Sequence, residues 1–152
     1  MKKQKIILGT DHAGFELKEH IKKYLLKNGF EVIDKGAYRF EPNDDYPDFI
    51  VKVAKEVAKN PDSCRGIIFG ASGQGEAIAA NKIKGIRASV YYGGNLELIK
   101  LSRTHNNANI LSLGARFLTK EQALEAVKIW LKTSFSNEAR HIRRIRKISL
   151  IN

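Results

Sequence analysis

Five short apolar runs, each followed by a stretch with helical spacing, constrain this chain more than any other feature. "KIILGTD" (5–11), "EVID" (31–34), "RGIIFG" (65–70), "IRASVYY" (86–92) and "ANILSLG" (108–114) are rich in Ile, Val and Leu and read as strands. Between the first two, Phe15, Leu17, Ile21, Tyr24 and Leu25 recur near helical spacing, and Gly29 stops the helix. Further helices are expected over 45–60, opening near Pro47, over "GEAIAANKI" (75–83), and over 95–105 with Asn95 as cap. Thr119 and Gln122 form a capping box for a fifth helix, and a basic sixth begins near Glu138. Apolar strands alternating with helices imply parallel strands buried on both faces. The expected fold is α/β: a three-layer Rossmann-like open sheet of five mainly parallel strands with helices on both faces and an extra C-terminal helix.

No linker, repeat or low-complexity segment divides the 152 residues, so residues 1–152 are expected to form a single domain. A domain of this length buries roughly 70% of the surface its unfolded chain exposes, enough to fold without staples. The single cysteine, Cys64, rules out an intrachain disulfide, and no Cys/His zinc spacing, signal peptide or membrane span is seen. A cytoplasmic protein is expected, with no membrane partner. The net charge of +11 points to anionic partners: nucleic acid, a membrane surface or small phosphorylated molecules. In the basic C-terminal helix no aromatic residues are interleaved with the basic ones and no RNA-binding signature is present, which argues against nucleic acid.

In open parallel sheets ligands bind at the carboxyl ends of the strands. This places "GTDHAG", "FGASGQGE", "YYGGN" and "SLGAR" along one rim. The second of these lacks the Lys and Ser/Thr of a phosphate-binding Walker loop, and its glycines at 70, 73 and 75 do not match a dinucleotide fingerprint. Glycines without Cβ atoms do let backbone N–H groups converge at a helix N-terminus, where an oxyanion is stabilised. Glu76 at that terminus is either a helix-dipole acid or a catalytic one.

"GTDHAGFELKEHI", "YPDF", "GQGEAIAANKIKGIRA", "LSRTHNNANILSLGAR" and "EARHIRRI" together resemble the ribose-5-phosphate isomerase B family, which also contains subunits of galactose-6-phosphate isomerase. The resemblance spans about residues 5–147. It implies aldose-ketose isomerisation of a sugar phosphate through an enediol, without metal or organic cofactor, in a homodimer or dimer of dimers whose sites lie between subunits. One branch of the family uses a cysteine base at the position held here by Gly70, and another uses a glutamate matching Glu76. The resemblance therefore implies Glu76 as the base and His105 as the group that opens the sugar ring. The Ser72 hydroxyl, unless it only shapes the loop, and the amides of residues 73–76, Gly73 and Gly75 included, are the expected oxyanion donors.

By the same resemblance Asp11 binds sugar oxygens, His12 contacts the phosphate, and Tyr46 and Asn106 orient the sugar. Asp11 is also a candidate N-cap. Arg140 and Arg144, one helical turn apart, suit a phosphate grip, with Arg116 as a third arginine. Ile142, Ile145 and Ile148 form an apolar stripe beside them, while Arg143, Arg146 and Lys147 read as a solvated face. His20 is expected to face solvent, and Cys64 to be a bystander. The expected activity is interconversion of ribose 5-phosphate and ribulose 5-phosphate. The alternatives are a six-carbon sugar 6-phosphate such as galactose or allose 6-phosphate, a non-catalytic sugar-phosphate-binding homologue, and a nucleic-acid binder.

Overall fold

The structure, a computed structural model, describes residues 4–151. The strands β1 (Lys5–Thr10), β2 (Glu31–Asp34), β3 (Cys64–Gly70), β4 (Ala88–Tyr91) and β5 (Ile110–Gly114) form one sheet in the order β2-β1-β3-β5-β4. Every pairing is parallel. The helices are α1 (Phe15–Lys27), α2 (Tyr46–Ala58), α3 (Gln74–Asn81), α4 (Glu97–Thr104), α5 (Lys120–Lys132) and α6 (Ala139–Ser149).

The strands are apolar throughout because the pleat sends neighbouring residues into two separate cores. Ile6, Leu8, Ile67, Phe69, Leu111 and Leu113 pack with Leu17, Ile21 and Leu25 of α1 and Val127 and Trp130 of α5. Ile7, Ile68 and Ile110 point the other way, onto Ile50, Val53 and Val57 of α2 and Ala80 of α3. α4 joins the first layer through Ile99. These are the three layers expected from the sequence.

Several ends differ from the sequence expectation. Asp11 caps a short 3₁₀ turn, His12–Gly14, that precedes α1. Asn95 lies outside α4, yet its Oδ1 still accepts from the Glu97 amide at 2.9 Å. The Thr119–Gln122 capping box forms with both reciprocal bonds. β4 and β5 are shorter than their apolar runs, Cys64 begins β3 rather than preceding it, and His20 is half-buried rather than facing solvent.

Lys18 carried no expectation, yet it is fully buried and donates to both oxygens of Asp34 at 2.8 Å and to the Ala37 carbonyl at 2.6 Å. Burial pushes the Asp34 pKa up, but Lys18, the Gly36 amide and Lys22 outweigh it and hold the carboxyl below its ordinary range. The pair fastens the start of the β2–α2 loop to α1. α6 contrasts with the other helices: only His141 is buried, Ile142 and Ile145 are half-buried, and Ile148 is 50% exposed. The rest of the chain covers its isoleucine stripe only in part.

The connections leave β1 outward to β2 and then return past β1 to β3. A sheet wound this way opens a crevice between the carboxyl ends of the strands where the direction changes, here β1 and β3.

Candidate active site

Thr10 and Gly70, the last residues of β1 and β3, border this crevice, and the loop from Gly70 to Glu76 forms one wall. Gly73, at the N-cap of α3, has φ +81, a left-handed conformation that favours glycine. The Ser112 hydroxyl donates to the Gly73 carbonyl at 2.6 Å, and the Ala115 amide to the Gly70 carbonyl at 2.8 Å, so the loop is tied to β5. A Cβ on Gly75 would lie 2.5 Å from the Tyr46 hydroxyl, which packs directly against this glycine. A Cβ on Gly70 would overlap the Glu76 carboxyl group. The acid thus fills the space that any side chain at position 70, a cysteine included, would occupy.

Glu76 is 4% exposed. Burial raises its pKa, the negative charge of Asp11 across the crevice raises it further, and the amides of Glu76 itself and Gly73 pull against that rise. Asp11 is buried too, and desolvation raises its pKa against the opposing bond from the Ala13 amide. The Ser72 oxygen accepts from the Gln74 amide at 3.2 Å, which leaves the hydroxyl hydrogen for another acceptor. The four amides of residues 73–76 are therefore not all directed at a ligand. That of Gln74 meets Ser72, and those of Gly73 and Glu76 favour the charged form of the Glu76 carboxyl.

His12 lies beside Asp11 in the turn after β1. Its backbone N–H donates to Asp44 Oδ1 at 3.0 Å, and its Nδ1 lies 2.7 Å from the same oxygen. The Phe40 ring stands edge-on to the imidazole at 6.2 Å between centroids. Asp11, His12 and Asp44 offer three potential ligand atoms within 4.8 Å of one another, a grouping that the sequence spacing did not reveal. Asp44 went unassigned because the run Asn43-Asp44-Asp45 reads simply as a polar lead into α2. Arg116, exposed just beyond β5, completes this end of the sheet.

The remaining expected site residues lie at the opposite end. α4 runs back from the carboxyl end of β4, and His105 and Asn106, both exposed, follow it in the loop entering the amino end of β5. The His105 ring is stacked on buried His141 at 4.2 Å between centroids, and His141 Nδ1 bonds the Ser136 hydroxyl at 2.9 Å. His141 carried no expectation. Burial, together with His105 and Arg140, holds its pKa below the ordinary value. Arg140 and Arg144 are exposed on α6, with Arg140 Nε donating to Glu138 at 2.9 Å. One chain thus brings Asp11, His12, Tyr46, Ser72, Gly73, Gly75, Glu76 and Arg116 to one end of the sheet. It holds His105, Asn106, Arg140 and Arg144 at the other, a strand length of on the order of 20 Å away.

The sequence profile of the family described as Ribose/Galactose Isomerase matches residues 6–148. Ribose-5-phosphate isomerase B of Mycolicibacterium paratuberculosis is 43% identical over 141 residues, 93% of this chain and 87% of that protein. Among solved structures, ribose-5-phosphate isomerase B from Mycoplasma genitalium with bound ribulose 5-phosphate superposes with a TM-score of 0.91 at 41% identity, covering 95% of this chain and 93% of that one. The Thermotoga maritima ribose 5-phosphate isomerase superposes at 0.90 with 43% identity, covering 99% of this chain and 100% of that one.

Proposed function

From membership in the ribose/galactose isomerase family, to which this chain belongs, we infer that it interconverts ribose 5-phosphate and ribulose 5-phosphate. The observation that carries this reading is the buried Glu76 carboxylate, lying over Gly70 in the β1/β3 crevice with its pKa raised. A carboxylate so placed is a stronger base than one in water and is suited to a proton beside a carbonyl.

In the proposed reaction His105 transfers the ring-opening proton, giving the open-chain aldose. Glu76 removes the C2 proton, and the electron pair moves through C1 to O1, giving an enediolate. The Ser72 hydroxyl and the Gly75 amide stabilise the negative oxygen while it exists. Glu76 then delivers its proton to C1 while the O2 proton passes to O1, which leaves the ketone at C2 and a hydroxyl at C1. Asp11, Tyr46 and Asn106 orient the hydroxyls. His12, Arg116, Arg140 and Arg144 hold the phosphate, with the planar guanidinium groups suited to its oxygens. The protein groups supply the charge stabilisation that a metal would give, so turnover is expected to survive EDTA, and activity restored only by a divalent ion would contradict this.

We further propose a homodimer. With His105 and the α6 arginines at the far end of the sheet from Glu76, a site containing all of them requires a second copy. The partly covered isoleucine stripe and the exposed Ile78 and Leu98 give such a dimer apolar surface to bury. Among the described residues no helix is long and apolar enough to cross a membrane, and we place the reaction in the cytoplasm.

The test is Glu76→Gln, which keeps shape and removes the base. It is expected to lower kcat by on the order of a hundredfold or more, while Cys64→Ala, buried at the other end of β3, leaves turnover near wild type. A glutamine variant with an undiminished rate would sink the assignment. Ranking kcat/KM on ribose 5-phosphate against allose and galactose 6-phosphates tests the substrate.

A further inference from the structure

The β2–α2 loop carries a carboxylate that the reaction above does not use. Asp44 accepts two bonds from one residue, His12, through a single oxygen: the backbone N–H at 3.0 Å and ring Nδ1 at 2.7 Å. Its side chain is 10% exposed, and its second oxygen, Oδ2, is buried with no hydrogen-bond partner among the described residues. Half of this carboxylate's acceptor capacity is therefore desolvated without compensation inside the chain, an arrangement poorly explained by stability alone.

An ionised carboxylate only accepts, so the 2.7 Å contact fixes a proton on Nδ1 of His12. Nε2 is then the nitrogen left to face the crevice. Free neutral imidazole exchanges between two tautomers, and the partner of one nitrogen decides what the other can do. The backbone bond to the same oxygen sets the height of the ring, and the edge-on Phe40 ring limits its rotation.

We propose that Asp44 is the positioning residue for His12: by accepting from both the backbone N–H and Nδ1–H it fixes the ring and turns Nε2 toward the substrate phosphate. This rests on reading His12 as a phosphate contact. Asp11 Oδ2 is 3.9 Å from Nδ1, too distant to perform the same task. Asp44 acts through His12 and touches no reacting atom.

The test uses Asp44→Ala and Asp44→Asn in the full chain. Asp44→Ala is expected to raise KM for ribose 5-phosphate by about tenfold or more, in line with loss of a carboxylate behind a working histidine, and to weaken competition by inorganic phosphate in parallel. Its kcat should stay within a few-fold of wild type, because Glu76 is untouched. Asp44→Asn, whose amide oxygen still accepts from Nδ1 but carries no charge, should give an intermediate KM. ¹⁵N NMR of the ligand-free protein should show His12 protonated on Nδ1 in wild type and Asp44→Asn, and a tautomer mixture in Asp44→Ala. A purely structural role would lower kcat while KM rises and would leave the tautomer unchanged, and either result overturns the proposal. So would a divalent-ion requirement for turnover whose half-saturating concentration rises in Asp44→Ala, which would make Asp11, His12 and Asp44 a cation site. The NMR measurement needs no activity, so a failure of the isomerase reading remains distinguishable from a failure of this one.

Discussion

Among the described residues no cation bonds the Glu76 carboxylate, and its nearest charged influence is another acid, Asp11. Burial and this like charge both favour the protonated form, so the folded state holds the Glu76 proton more tightly than the unfolded chain does. For a carboxyl whose folded pKa is raised, stability falls as pH rises from the ordinary value of 4.5 through the raised one. At neutral pH Glu76 is therefore a destabilising group, as its proposed role as base would require. Glu76→Gln is expected to melt no lower than wild type at pH 7 while losing activity. The acid limb of kcat/KM should lie above the pKa of an ordinary glutamate, with Asp11 and Glu76 titrating as a pair. Removing one charge relaxes the other, so Asp11→Asn should move that limb toward lower pH in the activity that remains, and a limb unmoved or shifted upward would break the proposed coupling. Its flanking glycines and its place after the third apolar run marked Glu76 in the sequence as either a helix-dipole acid or a catalytic one, and only the resemblance implied the role of base. The reason for Gly70 was not legible there: that the acid lies on the Cα of a residue six positions earlier is a fact of the folded loop.

At the scale of elements, patterning read best where a side chain's destination is set by its own strand or helix. The five apolar runs and the Thr119–Gln122 box depend on local periodicity and local bonds, so they were legible. What could not be read were buried charges satisfied by distant parts of the chain, such as Lys18 with Asp34, His12 with Asp44, and Arg103. Arg103 is 5% exposed. It donates to the Thr133 carbonyl at 3.0 Å, Asn107 Oδ1 at 2.9 Å and the Ala108 carbonyl at 2.7 Å. Burial, with Arg65 and Arg87 nearby, pushes its pKa down to about 10, which still leaves it charged at neutral pH. One guanidinium thus ties the His105–Asn106 loop to the segment leading into α6, fixing both parts of the chain that the proposed site takes from this end of the sheet. A lysine carries the charge without the fork. Arg103→Lys and Arg103→Met should both lose about 2–4 kcal/mol in urea unfolding, as several buried acceptors are left unpaired. They should also lower kcat/KM, although neither contacts substrate. Full stability in the lysine variant would mean that charge alone, and not the fork, holds the loop.

At the scale of the whole molecule, the same parallel winding that gathers Glu76, Asp11 and His12 in one crevice carries His105, Arg140 and Arg144 to the other end of the sheet. The proposed two-fold dimer would resolve this by symmetry, since each copy offers both ends and the interface repeats itself, giving two equivalent sites of mixed parentage. The arrangement predicts complementation. A chain with Glu76→Gln keeps a sound His105, and a chain with His105→Asn keeps a sound Glu76. Each should be nearly inactive alone, since each lacks an acid-base group worth about a hundredfold or more. When the two are unfolded together and refolded as an equal mixture, half of the dimers are hybrids, and each hybrid has one site with both groups intact and one with neither. The mixture should then recover about one quarter of wild-type activity per chain, since isologous pairing makes the two sites of a hybrid complementary. Adding Arg144→Ala to the glutamine chain, which supplies the α6 of the intact site, should raise the KM of the recovered activity. The same change in the His105→Asn chain should leave that KM alone if the two ends are shared as proposed. Recovery no greater than the sum of the two residual activities would mean that each site is built from one chain, and the proposed dimer would lose its functional basis.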